Sequence, residues 1–149
     1  MLYVRTTAFA ALLLCLPLRA DDVSDREKLL GSWQRQDDSG KVNVWVLEMK
    51  GEALHITVSV GDQKVSEFEC SPKGAKCEGT VKSMKANVRM YYDGPALVQF
   101  ETRGEDVTRR RLSVTGQPDM MEIEVMPIVG ADKAETLHLK RLKLSSEGR

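Results

Sequence analysis

The sequence lacks the features of a membrane-spanning or nucleic-acid-binding protein. It contains no run of about 18 apolar residues, so no transmembrane segment is expected. Its 22 basic and 22 acidic residues cancel over 149 positions. That balance leaves no overall basic field of the kind that nucleic-acid binders present to phosphates. We therefore expect a protein with neither a membrane span nor a nucleic-acid partner, in a chain of one-domain length.

Patterns that carry catalysis are also missing. No HExxH, P-loop or GxSxG pattern occurs. The two histidines, His55 and His138, each fall opposite the apolar side of a predicted strand. No pair of carboxylates stands in an apolar setting that would raise the pKa of one of them for acid–base work. We therefore expect a non-catalytic protein without a cofactor or a metal ion.

The first twenty residues are typical of a secretory signal peptide. Arg5 supplies a positive charge, Ala8–Leu18 carry none, and Ala20 is the small residue before a cleavage point. A buried N-terminal helix is the alternative, and a lipoprotein site at Cys15 has poor support because Leu12-Leu13-Leu14 precede it. Cleavage would remove Arg5 and Arg19 and leave a net charge of −2. No Asn-x-Ser/Thr acceptor occurs, which permits a bacterial envelope. We expect an exported protein, either periplasmic or secreted.

Two cysteines remain after the predicted cleavage, Cys70 and Cys77. The segment between them contains Pro72 and Gly74, residues that favour a tight turn. Opposed cysteines in a hairpin reach disulfide distance, and we predict a disulfide here. A zinc or redox site is the alternative, but neither CxxC spacing nor a nearby histidine supports it.

Alternation of apolar and polar residues predicts strands through most of the chain. One helix is predicted at Ser24–Leu30, where Ser24 and Glu27 form a capping-box pattern. Turns this short allow only an antiparallel meander, and closing it removes the sheet edges. We predict an all-β barrel of 8–10 strands as a single domain over residues 21–144, with a flexible tail at 145–149. The predicted strands are Ser32–Gln36, Val42–Lys50, Ala53–Val60, Lys64–Ser71, Lys76–Ser83, Ala86–Tyr92, Ala96–Arg103, Asp106–Thr115, Met120–Val129 and Glu135–Lys143.

Gly31-Ser32-Trp33 follows the predicted helix, and Arg141 lies on the last predicted strand. This G-x-W pattern resembles that of the lipocalins and the related fatty-acid-binding proteins. The resemblance implies that Arg141 packs over Trp33 at the closed end of a barrel, within about 6 Å of its ring. The chain departs from the family in having no T-D-Y motif and no room for a two-helix lid between Gln36 and Val42. It is therefore similar to the small lipocalin-like proteins of bacterial envelopes.

Three side chains are candidates for contact with a ligand inside such a barrel. Arg110 shares its strand face with Leu112 and Val114, so it points inward if that face does. A buried cation needs a partner, and the resemblance implies that this partner could be a ligand carboxylate. An internal salt bridge, or a register that leaves Arg110 outside, are the alternatives. Trp45 and Phe100 are the other candidates, Trp45 being equally suited to filling the core.

These observations favour a binding protein for a small apolar or anionic amphiphilic ligand, present as a monomer. A protein-interaction module, such as an envelope inhibitor built on a meander barrel, is the alternative, and an enzyme is the third. The interior discriminates between the first two. A cavity of several hundred cubic ångströms favours a carrier, whereas a filled barrel with one protruding loop favours an inhibitor.

Overall fold

In the described part of the chain, one short helix precedes a closed antiparallel barrel of ten strands. The structure is a computed structural model that describes residues 20–117, 119–130 and 133–143. Each strand pairs with the next along the chain, and the last returns to the first, which confirms the predicted meander barrel. The elements are α1 (Ala20–Glu27), β1 (Gly31–Gln36), β2 (Val42–Lys50), β3 (Ala53–Val60), β4 (Gln63–Cys70), β5 (Cys77–Val81), β6 (Met84–Asp93), β7 (Ala96–Arg103), β8 (Asp106–Val114), β9 (Met120–Val129) and β10 (Glu135–Arg141).

In the part of the chain that the structure describes, no helix has the length and apolarity to cross a bilayer. The predicted signal peptide occupies residues 1–20, of which 1–19 lie outside the described residues. The predicted tail at 145–149 lies outside them as well. Both remain predictions.

The helix lies earlier than the sequence predicted. It spans Ala20–Glu27 rather than Ser24–Leu30, so Ser24 lies inside it instead of capping it. Asp22 falls in the first turn, where a carboxylate is favourable beside the free N–H groups. After Glu27 the chain tightens, because Leu29 and Leu30 donate backbone hydrogen bonds to carbonyls only three residues back, at 3.1 Å each. Residues 28–30, which the sequence predicted as the end of the helix, therefore form a tight turn instead.

The sequence-based prediction wrongly included the turn between β5 and β6 in a strand. Lys82 and Ser83 both have positive φ, 48° and 66°, as a two-residue turn of a tight hairpin requires. Glycine or asparagine normally marks such a turn, and neither is present. The predicted strand Lys76–Ser83 therefore ends at Val81.

The barrel has a filled end and an open end. Side chains near the start of β1 and the end of β10 are fully buried and fill the interior there; the largest are Trp33, Leu47, Leu54, Ile56, Met90, Leu97, Leu112, Met121, Ile123 and Leu139. We call this the closed end. The opposite end, formed by the turns after β1, β3, β5, β7 and β9, is the open end.

Trp33 seals the closed end. It is completely buried, and its indole Nε1 donates a hydrogen bond to the Leu29 carbonyl at 2.9 Å. The Arg141 guanidinium lies 4.1 Å from the centre of the indole ring, inside the expected range for a cation over an aromatic face. Arg141 also donates to the carbonyls of Leu30 and Lys28, at 2.8 and 2.7 Å. One side chain therefore joins the last strand to the segment before the first.

Gly31 makes room for this arrangement. Its φ is +122°, a conformation that favours glycine, and a Cβ at this position would lie 2.8 Å from Arg141 Nη1. The glycine of the G-x-W pattern is thus required by the path of the arginine over the tryptophan.

The predicted disulfide between Cys70 and Cys77 is confirmed. The two cysteines end β4 and begin β5, with their Cα atoms 5.7 Å apart. Beside the bridge, the Phe68 ring lies over Gly79 so closely that a Cβ on Gly79 would collide with it. The β4–β5 hairpin is therefore held both covalently and by close packing.

We expect Trp33→Ala to lower the free energy of unfolding by about 3–5 kcal/mol, because it removes the largest side chain of a filled core. Arg141→Lys should cost about 0.5–2 kcal/mol, since an ammonium cannot stack on the indole and donate to two carbonyls together. Urea denaturation measures both. Arg109→Lys, on the outer wall, is the matched control and should change little. Equal losses for Arg141→Lys and Arg109→Lys would contradict this account.

Replacing Cys70 and Cys77 together by alanine should lower the free energy of unfolding by about 2.5 kcal/mol, the chain-entropy value for an eight-residue loop. Urea denaturation with and without reductant measures the effect, and peptide mapping under non-reducing conditions identifies the bridge. A wild-type protein whose stability does not respond to reductant would refute the expectation.

Candidate functional site

The barrel interior is hollow toward the open end. A cavity of about 270 Å³ lies there, above the filled half of the barrel. Residues from β2 to β5, from the β5–β6 turn and from β7 and β8 line it, namely Trp45, Val58, Ser66, Phe68, Val81, Lys82, Glu101, Arg103 and Arg110. Of the three candidate ligand contacts, Trp45 and Arg110 line this cavity.

One wall of the cavity is charged. Glu101 on β7 is buried, with 4% of its surface exposed. Arg110 on β8 donates a hydrogen bond from Nη1 to Glu101 Oε2 at 2.7 Å, and Arg103 Nε lies 3.7 Å from Glu101 Oε1. The internal salt bridge that was an alternative for Arg110 is therefore present. With two guanidinium groups facing a single carboxylate, the wall still carries an excess positive charge.

The facing wall is largely apolar, with Ser66 and Lys82 as its polar members. Trp45, Val58, Phe68 and Val81 are all buried and belong to the continuous hydrophobic core. Trp45 lies directly opposite both Trp33 on β1 and Val58 on β3, so it connects the core to the cavity. The cavity thus has an apolar side and a cationic side, which suits an amphiphilic molecule.

Gln99 is the inner-face residue of β7 next to Glu101 on the side of the closed end, and its side chain has no hydrogen-bond partner among the described residues. Its side chain is fully buried, and within the described residues neither Nε2 nor Oε1 makes a hydrogen bond. It is directly opposite Arg110 on β8 and Met90 on β6. Burying an amide without partners costs about 1–3 kcal/mol. A group that hydrogen-bonded to Gln99 would remove this cost.

Phe100 does not line the cavity, contrary to the expectation that it faces inward. Leu97, Gln99 and Glu101 form the inner face of β7, which places Phe100 on the outer wall. There its ring stacks on Tyr91, with 6.3 Å between ring centres. The error arose because the polar and apolar positions of β7 are inverted: Val98 and Phe100 lie on the outer face, whereas Gln99 and Glu101 lie on the inner face with Leu97. Leu97 and Val98 are both fully buried, so burial of an apolar side chain does not by itself mark the inner face.

The sequence analysis missed Gln99, Glu101 and Arg103. All three share the inner face of β7 with Leu97. Because Phe100 was assigned to the inside, these polar residues were assigned to solvent. The sequence did contain one indication of the correct face of β7. On the neighbouring strand β8, Arg110 lies on the same face as the apolar Leu112. An inward cation on β8 implies an inward partner on a neighbouring strand.

Two larger pockets lie on the surface of the barrel, but they are less suited to a ligand. One of about 490 Å³ lies at the seam between β1 and β10, with residues such as Gln34 and Lys140 at its margin. Another of about 430 Å³ lies near the closed end, beside Asp25 and Pro95. Neither has a buried charged side chain among its lining residues. Within the described ranges, no cluster of three or more His, Cys, Asp or Glu side chains could hold a metal ion.

His55 forms a second charged cluster, on the outer wall. Its Nδ1 lies 3.0 Å from a Glu48 carboxylate oxygen, and its Nε2 lies 3.0 Å from a Glu67 oxygen. These two hydrogen bonds to carboxylates, the one to Glu67 having the larger effect, raise the pKa of His55 above its ordinary value. Hydrogen bonds from Lys64 and then His55 lower the pKa of Glu67 to about 2. The carboxylates thus favour the protonated, doubly donating form of the histidine. His138, by contrast, is largely exposed.

Comparison with known proteins identifies the class of fold. No protein-family model matches the chain, and no curated protein sequence does. Among solved structures, a fatty acid transporter called REP1-NXSQ aligns with a TM-score of 0.63 and 16% identity, covering 80% of this chain and 99% of that one. A fatty acid binding protein from Schistosoma mansoni, in complex with arachidonic acid, aligns with a TM-score of 0.66 and 12% identity, covering 80% and 99%.

A secretory abundant heat soluble protein from Ramazzottius varieornatus aligns with a TM-score of 0.61 and 14% identity, covering 77% and 96%. The chain therefore shares its barrel fold with these proteins. At these identities the likeness establishes the fold and nothing finer. The first two proteins are named for binding or transport rather than for catalysis.

His55→Gln should destabilise the protein most at about pH 5.5 and least at about pH 9. A raised pKa means that His55 stabilises fully below its ordinary pKa of 6.5, and that this contribution disappears as the pH rises through the folded value. The contribution of Glu67 is present above its ordinary pKa of 4.5 and disappears as the pH falls toward 2. Thermal melts at the two pH values test this. His138→Gln is the control and should lower Tm equally little at both; a deficit for His55→Gln that does not vary with pH contradicts the account.

Proposed function

We propose that this barrel binds a small amphiphilic molecule with an anionic head group, without catalysing a reaction on it. The observation that carries the proposal is the pairing of two arginines with one buried carboxylate in a cavity whose facing wall is apolar. Glu101 alone cannot neutralise both guanidinium groups. A ligand carboxylate or comparable anion beside Arg110 and Arg103 would complete the neutralisation in a partly buried site, where these side chains are 21% and 25% exposed.

The proposed pose follows from the two walls. The anionic group lies against Arg110, and the hydrocarbon part contacts Trp45, Val58 and Phe68. Arg110 suits this role because its planar guanidinium has donors left over after the single contact with Glu101. The structural neighbours named for fatty acids give independent support for this class of ligand.

The cavity volume limits the size of the ligand. At about 270 Å³, it lies just below the range of about 300–1,000 Å³ that is usual for small-molecule sites. A water molecule occupies about 30 Å³, and a methylene group is of similar size. The cavity therefore suits an acid of about ten carbon atoms, and a longer chain would extend through the open end.

We also propose that the protein is exported, with residues 1–20 as its signal peptide. The Cys70–Cys77 disulfide supports this, because such bonds persist in oxidising compartments such as the bacterial periplasm or the extracellular space. Expressing the full chain and sequencing the N-terminus of the mature protein tests it. A mature protein beginning at Asp21 is expected, and one retaining Met1 in a cytosolic fraction would contradict it.

Binding is best tested with three ligands of equal length and different charge: decanoic acid, decanol and decylamine. Isothermal titration should show the acid binding most tightly. Arg110→Met should weaken the acid by about 10- to 100-fold, the range for a lost hydrogen bond to a charged group. It should leave decanol nearly unchanged, because decanol offers no charge to the guanidinium.

Two further variants make this test decisive. Arg109→Met changes the adjacent arginine on the outer wall and should bind all three ligands as the wild type does. If Arg110→Met fails to fold because Glu101 loses its partner, the double variant Arg110→Met with Glu101→Gln removes both charges together. Wild-type protein that binds none of the ligands, or that binds the amine as well as the acid, would overturn the proposal and leave the Arg110–Glu101 pair with a purely structural role.

A further inference from the structure

Gln99 is the one buried side chain whose hydrogen-bonding groups are both unmatched within the described residues. It faces into the barrel from β7, between two different environments. Toward the closed end lies Leu97 with its opposite residue Leu112, both completely buried. Toward the open end lies Glu101, which lines the cavity. Gln99 therefore marks the boundary between the filled core and the base of the cavity.

None of the residues paired with Gln99 across its neighbouring strands hydrogen-bonds to the amide in the described structure. Arg110, directly opposite on β8, directs its Nη1 to Glu101 instead. Met90, directly opposite on β6, offers only a thioether, which is a weak acceptor. Val125, the partner of Arg110 on β9, is apolar. The N–H donors and the carbonyl acceptor of Gln99 are thus unmatched next to the cavity: Gln99 does not line it, but Arg110 opposite and Glu101 beside it on the inner face both do.

We propose that Gln99 recognises a second polar group on the ligand, a hydroxyl close to its anionic end. The inference rests on the proposed function and narrows the ligand from an amphiphilic acid to a hydroxy acid. A hydroxyl is the smallest group that both donates and accepts, so it matches the amide's carbonyl or its N–H groups. Gln99 supplies no charge and is a specificity-determining residue rather than the anchor.

The position of the hydroxyl follows from the register. Gln99 and Arg110 form a directly opposed pair, and the Cβ atoms of such pairs lie about 4.5–5.5 Å apart. A ligand that contacts both side chains must carry its hydroxyl within a few bonds of its carboxylate. This identifies acids hydroxylated at carbon 2 or 3, and excludes those hydroxylated at the far end of the chain.

The test compares three acids of equal length: decanoic, 3-hydroxydecanoic and 10-hydroxydecanoic acid. Isothermal titration on the wild-type protein should give a dissociation constant for 3-hydroxydecanoic acid about tenfold lower than for decanoic acid, as expected for one well-made hydrogen bond to a previously unmatched group. 10-Hydroxydecanoic acid should bind no more tightly than decanoic acid. Its hydroxyl is at the opposite end of the chain from the carboxylate that Arg110 holds, so it cannot reach Gln99 in the same pose.

Gln99→Met is the informative variant, since methionine keeps the length of glutamine and removes both polar groups. It should lose the preference for 3-hydroxydecanoic acid while still binding decanoic acid. Its Tm without ligand should be higher than that of the wild type, because an unmatched buried amide has been removed. Gln63→Met, an exposed position on β4, is the matched control and should keep the wild-type preference.

The outcomes separate this inference from the proposed function. Equal binding of decanoic and 3-hydroxydecanoic acid to the wild type overturns the inference alone and leaves Gln99 without a role in recognition. A preference that survives Gln99→Met also overturns it, since another residue must then read the hydroxyl. Failure of every acid to bind overturns both the inference and the proposed function.

Discussion

The stack of Arg141 on Trp33 is the contact on which closure of the barrel depends. β1 and β10 share only two residue pairs, whereas β1 and β2 share six. The ladder at this seam is therefore short, and the ring needs another connection between its first and last strands. Arg141 provides it by lying on the indole and donating to the carbonyls of Leu30 and Lys28. Gly31 is the accompanying constraint, because any side chain there would displace the guanidinium.

Sealing one end leaves a cavity toward the other end. The filled half of the barrel supplies much of the apolar area that stabilises the fold, and Trp45, Val58 and Phe68 extend this core along one wall of the cavity. Burial of this apolar area offsets the cost of holding two arginines, a glutamate and an unmatched glutamine on the opposite wall. Buried polar groups of this kind seldom add stability. Under the proposed function, the two arginines and Glu101 at the cavity, with Gln99 next to them, serve recognition rather than stability.

Particular residues show how far sequence reasoning reached. β2, β3, β7 and β9 were predicted with the bounds that the structure has, because each alternates clearly or is bounded by glycine turns. The disulfide was predicted because Pro72 and Gly74 placed its cysteines across a hairpin. The G-x-W pattern and Arg141 pointed to the closed end of a barrel. The β5–β6 turn was missed because Lys82 and Ser83 adopt positive φ without the residues that usually signal it.

The sequence by itself determined the strands, the hairpin order and the closed antiparallel barrel, because these depend on local alternation and on turns too short for any other topology. Only the tertiary structure decided which face of β7 points inward. Leu97 and Val98 are equally apolar, and the choice depends on pairing with β6 and β8. That choice places Phe100 outside and brings Gln99 and Glu101 against Arg110. The candidate site depends on strand register, because its charged residues come together across β7 and β8. The residue pattern along either strand alone does not indicate the site.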